Sequence, residues 1–487
     1  MQEVSIVEQL TTLDAGFLEA EDSDRHISLA IGGLIVLEGP PPDYATLIST
    51  LGARISGCRR FGQKLQLHPL DLVPPRWVDD PGFDMAHHVR RVALPRPGDD
   101  AELFRFVADQ MARRMDRDRP LWHIWVIEGL TDDRWAMLIQ VHHCVGDGIA
   151  TSHLFTGLCD ESGDLGDRVA SFAGHLPSSH ESHSGEWHFG LPTVNSSPAA
   201  WAAELWNVST AISAAAVRAA RGTVELTAGL LRSGTPTALN GPMSAMRRYS
   251  SAKVSLADIS QICQAFDVTL NDVALAGLTE AYRGMLNRRG ERPLPETLRT
   301  LVPVSTRGGD AVGATDNRVS VMLPCLPVEE DNPVRRLKLV HARLSRTKRT
   351  GQRQAGSVFV SAANHIPFPL TAWAVRLLTR LPQQGVTTLA TNVPGPSETL
   401  HIMGRPVLEV LPVPPIALQL RSGVAMLSYA ESLFFGVLAD YDTMPDVDEF
   451  ARSIETAVAR LLSSAKRRKT LREQAKRRHL SLAAGTA

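Results

Sequence analysis

His142 and His143 stand side by side in the stretch Val141-His142-His143-Cys144-Val145-Gly146-Asp147-Gly148. An imidazole with its unperturbed pKa of about 6.5 is largely neutral near pH 7 and can accept a proton. The apolar run from Trp135 to Val141, broken only by Gln140, reads as a buried β-strand closed by glycine and aspartate. Ile149 to Cys159 then has helical spacing, with Asp147 where an N-cap belongs. Successive strand residues point to opposite faces, so the two imidazoles are expected to do different jobs. One faces a cleft as a general base, and the other packs inward and braces the turn. Gly146 and Gly148 allow backbone geometry that other residues resist. Strand parity turns Cys144 away from the base, which argues against a nucleophilic thiol. No carboxylate or third histidine sits at ligand spacing, so no metal is expected. The plain alternative is a pair of structural histidines ending a core strand, with an aspartate that only caps a helix.

More of the chain bears on that choice. His142-His143-x-x-x-Asp147-Gly148 resembles the HHxxxDG signature of the CoA-dependent acyltransferase and peptide-condensation superfamily. Around it stand Leu13-Asp14-Ala15-Gly16-Phe17, Pro120-Leu121-Trp122, Asn271-Asp272-Val273, Pro303-Val304-Ser305-Thr306-Arg307 and Asn392-Val393-Pro394-Gly395-Pro396. Taken in order over residues 8–465, the set is similar to the bacterial wax ester synthase/diacylglycerol acyltransferase family, and within it to the triacylglycerol synthase branch. That resemblance implies an α/β fold of two chloramphenicol-acetyltransferase-like (condensation-domain-like) domains. Each would be a mixed sheet with helices, and an active-site tunnel would lie between them.

The resemblance also implies a chemistry. An alcohol attacks an acyl-CoA thioester directly, without a covalent acyl-enzyme and without a cofactor. His143 takes the role of general base, with His142 beside it. Asp147 is structural, with Arg307 its candidate partner, and Gly148 completes the motif. A buried pair of that kind would shape the histidine turn rather than move protons. Asn271, Ser305, Thr306 and Asn392 are the candidates for stabilising the oxyanion or lining the cleft; Asn271 reads equally well as a plain helix N-cap. The implied substrates are acyl-CoA and diacylglycerol, or a long-chain alcohol in a wax ester side reaction. Another alcohol or amine acceptor, or a non-catalytic lipid-binding role, are the alternatives.

These residues need two scaffolds. At 487 residues the chain is long for one domain and two are expected. In residues 1–160, helical spacing (Leu47, Ile48, Leu51, Ile55; Leu103, Phe104, Val107, Met111) alternates with strands at Ile31 to Leu37 and Trp122 to Ile127. Residues 161–200 lose all periodicity and read as a linker. An Ala-rich crossover helix falls within 201–240. Over 241–465 the alternation resumes, with a helix bearing Leu256, Ile259, Ile262 and Phe266, and another begun near Asn271. Strands are expected at 300–304, 386–392, 407–413, 424–429 and 433–438, and a last helix carries Phe450, Ile454, Val458 and Leu461. His87-His88 is a second histidine pair without Asp-Gly, read as surface or structural.

Residues 466–487 form a basic tail of charge +7 against −8 for the remainder. An anionic membrane surface would attract it; nucleic acid and plain solvation are the other readings of such a run, and no nucleic-acid partner is expected for the chain as a whole. Ile366 to Pro382, with Trp373 among basic residues, reads either as an interfacial helix or as an ordinary packed one. Cys58, Cys144, Cys159, Cys263 and Cys325 are scattered and odd in number, which fits a reducing cytoplasm. The N-terminus lacks the basic and apolar segments of a signal peptide, and no apolar run reaches the roughly 20 residues of a membrane span. The expected placement is cytoplasmic, peripheral at a membrane or lipid-droplet surface.

Overall fold

A computed structural model describes residues 9–67, 73–146, 155–160, 238–305, 319–349, 385–417 and 419–484. The linker at 161–200, nearly all of the crossover segment 201–240 and the segment 366–382 lie outside these residues, as do Asp147, Gly148, Thr306 and Arg307.

The chain opens with α1 (Thr12–Asp22), whose first turn is closed by the Thr11 hydroxyl accepting from the Asp14 N–H at 3.1 Å. Next come β1 (Ala30–Glu38) and α2 (Tyr44–Ile55). A two-stranded ribbon, β2 (Gln63–Gln66) with β3 (Arg76–Asp79), precedes α3 (Met85–His88), β4 (Val89–Ala93) and α4 (Asp100–Met111). The antiparallel pair β5 (Trp122–Glu128) and β6 (Arg134–His142) then delivers the histidines. Every β6 residue after Arg134 is buried, as the apolar run requires of a strand covered on both faces. Gln140, its one polar interruption, is satisfied inside: its Oε1 accepts from Trp125 Nε1 at 3.0 Å, and its Nε2 reaches the Met111 sulfur on α4 at 3.3 Å.

The later half begins with β7 (Arg247–Ser255), α5 (Leu256–Phe266), α6 (Leu270–Arg288), β8 (Leu298–Ser305), β9 (Val319–Met322), β10 (Cys325–Leu326) and α7 (Pro333–Arg349). It continues through β11 (Thr388–Val393), β12 (His401–Ile402), β13 (Arg405–Val413), β14 (Ser422–Tyr429), β15 (Ser432–Asp440) and the long α8 (Val447–Ala484). One sheet has the order β10-β8-β11-β14-β15-β7, with β9 also on β8; its helices α5, α6 and α8 bury Ile262, Leu278, Tyr282, Phe450 and Ile454.

The other sheet runs β12-β13-β1-β6-β5-β4. Two of its strands thus come from residues 401–413, far along the chain. β13 lies antiparallel to β1, from Gly32 opposite Val413 to Leu37 opposite Val407. The hairpin that begins this excursion is clamped by Asp160, whose carboxylate accepts from the Met403 and Gly404 N–H groups at 2.8 and 2.6 Å and pairs with Arg54 at 2.6 Å. β13 also packs across β14 and β15 of the second sheet. At that crossing a Cβ on Gly436 would lie 1.6 Å from the Pro412 carbonyl oxygen, which also accepts from the Tyr249 hydroxyl at 3.0 Å. Gly436→Ala therefore forces two backbones apart, and overpacking of this kind costs about 1–3 kcal/mol. A lowered urea midpoint is expected for that variant. It should be absent from Gly33→Ala, where the added Cβ meets no atom of the described residues within 4 Å.

Candidate active site

His142 is the last residue of β6, and its ring is 1% exposed. Its Nδ1 accepts from the Cys144 N–H at 3.2 Å and lies 3.0 Å from the Cys144 sulfur. That assigns the ring proton to Nε2, which faces the Glu21 carboxylate at 3.5 Å. Glu21 comes from α1 and is itself 1% exposed. It accepts from the Leu29 N–H at 3.0 Å and from Arg117 Nη2 at 2.7 Å. Burial alone would raise the Glu21 carboxyl, but the pull of the His142 ring and the hydrogen bonds from Arg117 and the Leu29 N–H outweigh it and hold the pKa at about 2. Arg117 also pairs with Asp22 at 2.8 Å. Burial pushes the Cys144 thiol well above its ordinary range. The protonated sulfur can donate to His142, and a nucleophilic thiolate is disfavoured.

His143 differs from the sequence expectation in one respect. It lies in the turn just past β6, not on the strand, so strand parity is not what separates it from His142. The turn does that: the Val145 N–H donates to the His142 carbonyl at 2.9 Å, and the His143 N–H donates to the Leu29 carbonyl at 3.0 Å. The His143 ring is half-buried and lies against Phe17 of α1, centroids 4.2 Å apart and planes 32° apart. Phe17 and Glu21 are four residues apart on one helix face. Through them α1 touches both histidines, packing on the half-buried ring and facing the buried one.

Asn271 and Asn392 also come together. Asn392, on β11, donates from Nδ2 to the Asn271 Oδ1 at 3.5 Å, the outer limit of a hydrogen bond. Asn271 is the second residue of α6 and is not its cap. Thr269 caps the helix in a reciprocal box with Asp272, which also accepts from His341 Nδ1 at 2.8 Å. Asn271 is therefore free of the capping role, and among the described residues its amide NH2 donates no hydrogen bond. The loop after Asn392 is fixed at Gly395, whose N–H donates to the Ser428 hydroxyl at 3.1 Å and whose missing Cβ would sit 2.2 Å from the Ser428 carbonyl oxygen. Ser305 ends β8, with its side chain outside the described set; Thr306, Asp147, Gly148 and Arg307 lie outside it altogether. His88 is structural: it is buried, its Nδ1 lies 2.9 Å from the Trp122 carbonyl, and its ring stacks on Trp122.

Glu21 and Arg117 did not emerge from the sequence. The available signal was the i, i+4 spacing of Phe17 and Glu21, which puts an acid on the face of the helix that carries the Leu-Asp-Ala-Gly-Phe motif.

Known proteins share this arrangement of elements. The family model described as the wax ester synthase/diacylglycerol acyltransferase catalytic domain matches residues 10–274, and the WS/DGAT C-terminal domain matches residues 315–461. A relative from Mycobacterium tuberculosis, named as the probable diacylglycerol O-acyltransferase tgs1, is 57% identical over 465 residues, covering 96% of this chain and 98% of its own. The solved wax ester synthase/diacylglycerol acyltransferase of Marinobacter aquaeolei VT8 superposes with a TM-score of 0.66 at 26% identity, over 94% of this chain and 100% of that one. The first condensation domain of the CDA synthetase shares the fold at a TM-score of 0.57 and 15% identity, over 93% and 97% of the two chains. With both family domains matched in order along most of its length, the chain belongs to the wax ester synthase/diacylglycerol acyltransferase family.

Proposed function

We propose that the protein transfers a fatty acyl group from acyl-CoA to the free hydroxyl of diacylglycerol, giving triacylglycerol and CoA, and that it works at a membrane or lipid-droplet surface. Membership of the family supports the reaction class. The 57% identity to a relative named for diacylglycerol acylation supports the acceptor. Among the described residues no helix is long and apolar enough to cross a membrane, so the lipid contact proposed is peripheral.

The observation that carries the mechanism is the division of labour in the histidine turn. His142 is locked between Cys144 and Glu21, whereas the His143 ring is half-buried beside Phe17. In this reading His143 takes the acceptor's hydroxyl proton as the oxygen attacks the thioester carbon. The tetrahedral intermediate puts negative charge on the former carbonyl oxygen. Collapse breaks the C–S bond, and His143 returns its proton to the departing sulfur. The overall balance is alcohol plus thioester to ester plus thiol. Asn271 is the candidate donor to the oxyanion, because its carbonyl oxygen is turned to Asn392 and its NH2 is directed elsewhere.

Two measurements test this. A panel of diacylglycerol, long-chain alcohols and amines, each with one labelled acyl-CoA, should give triacylglycerol as the fastest product. Faster amide formation would move the protein to another acceptor class. Asn271→Ala should lower kcat by about 10²–10³-fold, the usual effect of losing one oxyanion donor. An unchanged kcat would remove Asn271 from the mechanism.

A further inference from the structure

The end of α8 carries a cationic groove whose lining includes none of the residues of the histidine turn. Val458, Leu461 and Ala465 form the stripe of α8 buried in the second core, and Ala465 is only 3% exposed. Arg468 and Arg472 continue the same stripe at helical spacing, and Lys466 and Lys469 flank it. With Gln261 and Gln264 of α5, and with the one carboxylate of Glu473, they line an open groove. The Arg468 guanidinium lies over the Phe266 ring at 5.2 Å, which fixes one wall. Closer to the body of the protein the charge is balanced: Arg460 pairs with Glu280 at 3.2 Å. Past Ala465, among the described residues, none of Lys466, Arg467, Arg468, Lys469 and Arg472 forms an ion pair, and Glu473 is the one acid in the segment. Leu471 stands on this helix at 65% exposure, the highest of the large apolar side chains described.

We propose that this groove and the exposed turn of α8 at residues 471–474 form a docking surface for the phosphate groups of an anionic phospholipid bilayer. The inference rests on the reading that the acceptor is a membrane-resident lipid, and it names the surface through which the protein meets that membrane. Charge complementarity is the first argument. Residues 466–487 carry +7 and the remainder −8, so an anionic surface attracts the α8 end and repels the body, which sets one orientation. The apolar partner is the second argument. Leu471 shares a helix face with Arg467, four residues earlier, and an exposed leucine can enter the headgroup region while neighbouring cations hold phosphates. Single-stranded nucleic acid would call for aromatic side chains on which bases stack, and residues 466–487 contain no Phe, Tyr or Trp.

The test is flotation of the full-length protein with vesicles of phosphatidylcholine mixed with phosphatidylglycerol, against phosphatidylcholine alone. The wild type should float with the mixed vesicles only, and raised salt should release it. Replacing Lys466, Arg468, Lys469 and Arg472 together by Gln should weaken that binding by about 10²–10³-fold. Leu471→Ser should weaken it less and keep the phosphatidylglycerol dependence. Acyl transfer to detergent-dispersed diacylglycerol should be the same in the wild type and in both variants, and it also reports that they fold. Unweakened vesicle binding by the four-Gln variant overturns the proposal. A raised KM for acyl-CoA in the dispersed assay overturns it as well, by giving the cations to the phosphates of CoA. Binding of single-stranded DNA more tightly than mixed vesicles overturns it in favour of nucleic acid. Absence of acyl transfer in the wild type would instead sink the functional reading and leave the flotation result to stand by itself.

Discussion

His143→Ala is expected to lose acyl transfer by about 10²–10⁴-fold, the usual contribution of a positioned general base, while the protein still unfolds cooperatively near the wild-type temperature. The stability half follows from what the ring touches. The ring of His143 is half-buried against Phe17, and its backbone N–H donates to the Leu29 carbonyl, a bond that alanine keeps. His142→Ala should behave in the opposite way. That ring is 1% exposed, accepts from the Cys144 N–H and faces Glu21, so its removal leaves buried polar groups without a partner. A loss of about 1–3 kcal/mol for each such group is expected, and activity falls because the turn loosens. Measuring kcat and the thermal midpoint of both variants side by side separates the roles. Wild-type turnover by His143→Ala would refute the proposed proton transfer; equal destabilisation by the two alanines would refute the division of labour.

How much of this was legible in the sequence follows from which interactions are local. The β6 strand was legible because seven neighbouring residues carry the signal, and Gln140 could not break a run whose other members are apolar. The strands at 388–393, 405–413, 422–429 and 432–440 emerged for the same reason. Their partners did not. The apolar pattern of residues 405–413 says that the strand is buried, but not that it leaves the second sheet to pair with β1; that is fixed by Asp160 at one end and Gly436 at the crossing. β7 escaped notice as a strand because Arg247, Arg248, Ser250, Ser251 and Lys253 hide its alternation. At the site, the motif residues supplied the candidates, while the reasons for their positions were distant. Thr269 takes the capping role considered for Asn271, and Glu21 meets His142 across more than a hundred residues of chain. Charge on an amphipathic helix looks the same in sequence whether it is solvated or buried against a histidine.

Glu21 carries the other large expected effect, on stability and its pH dependence. Its carboxylate is surrounded by donors: the Leu29 N–H, Arg117 and the Nε2 side of His142. Removing one member of a buried ionic set leaves the others uncompensated, so Glu21→Ala should cost about 3–5 kcal/mol near neutral pH. Glu21→Gln keeps the shape and removes only the charge, which makes it the sharper probe. In the folded protein the carboxyl titrates at about 2, against an ordinary 4.5. A depressed carboxyl stabilises the fold in its ionised form, by about 3 kcal/mol for a shift of this size. That contribution is complete above the ordinary pKa and is lost as pH falls from 4.5 towards 2, because the folded protein must then bind a proton that the unfolded chain already holds. Wild type and Glu21→Gln should therefore differ most in urea unfolding at pH 7 and converge at the acid end of this window. Other carboxylates titrate in both proteins and cancel in the difference. A gap that stayed constant from neutral to acid pH would mean that Glu21 holds the histidine turn by packing and hydrogen-bond shape, not by its charge.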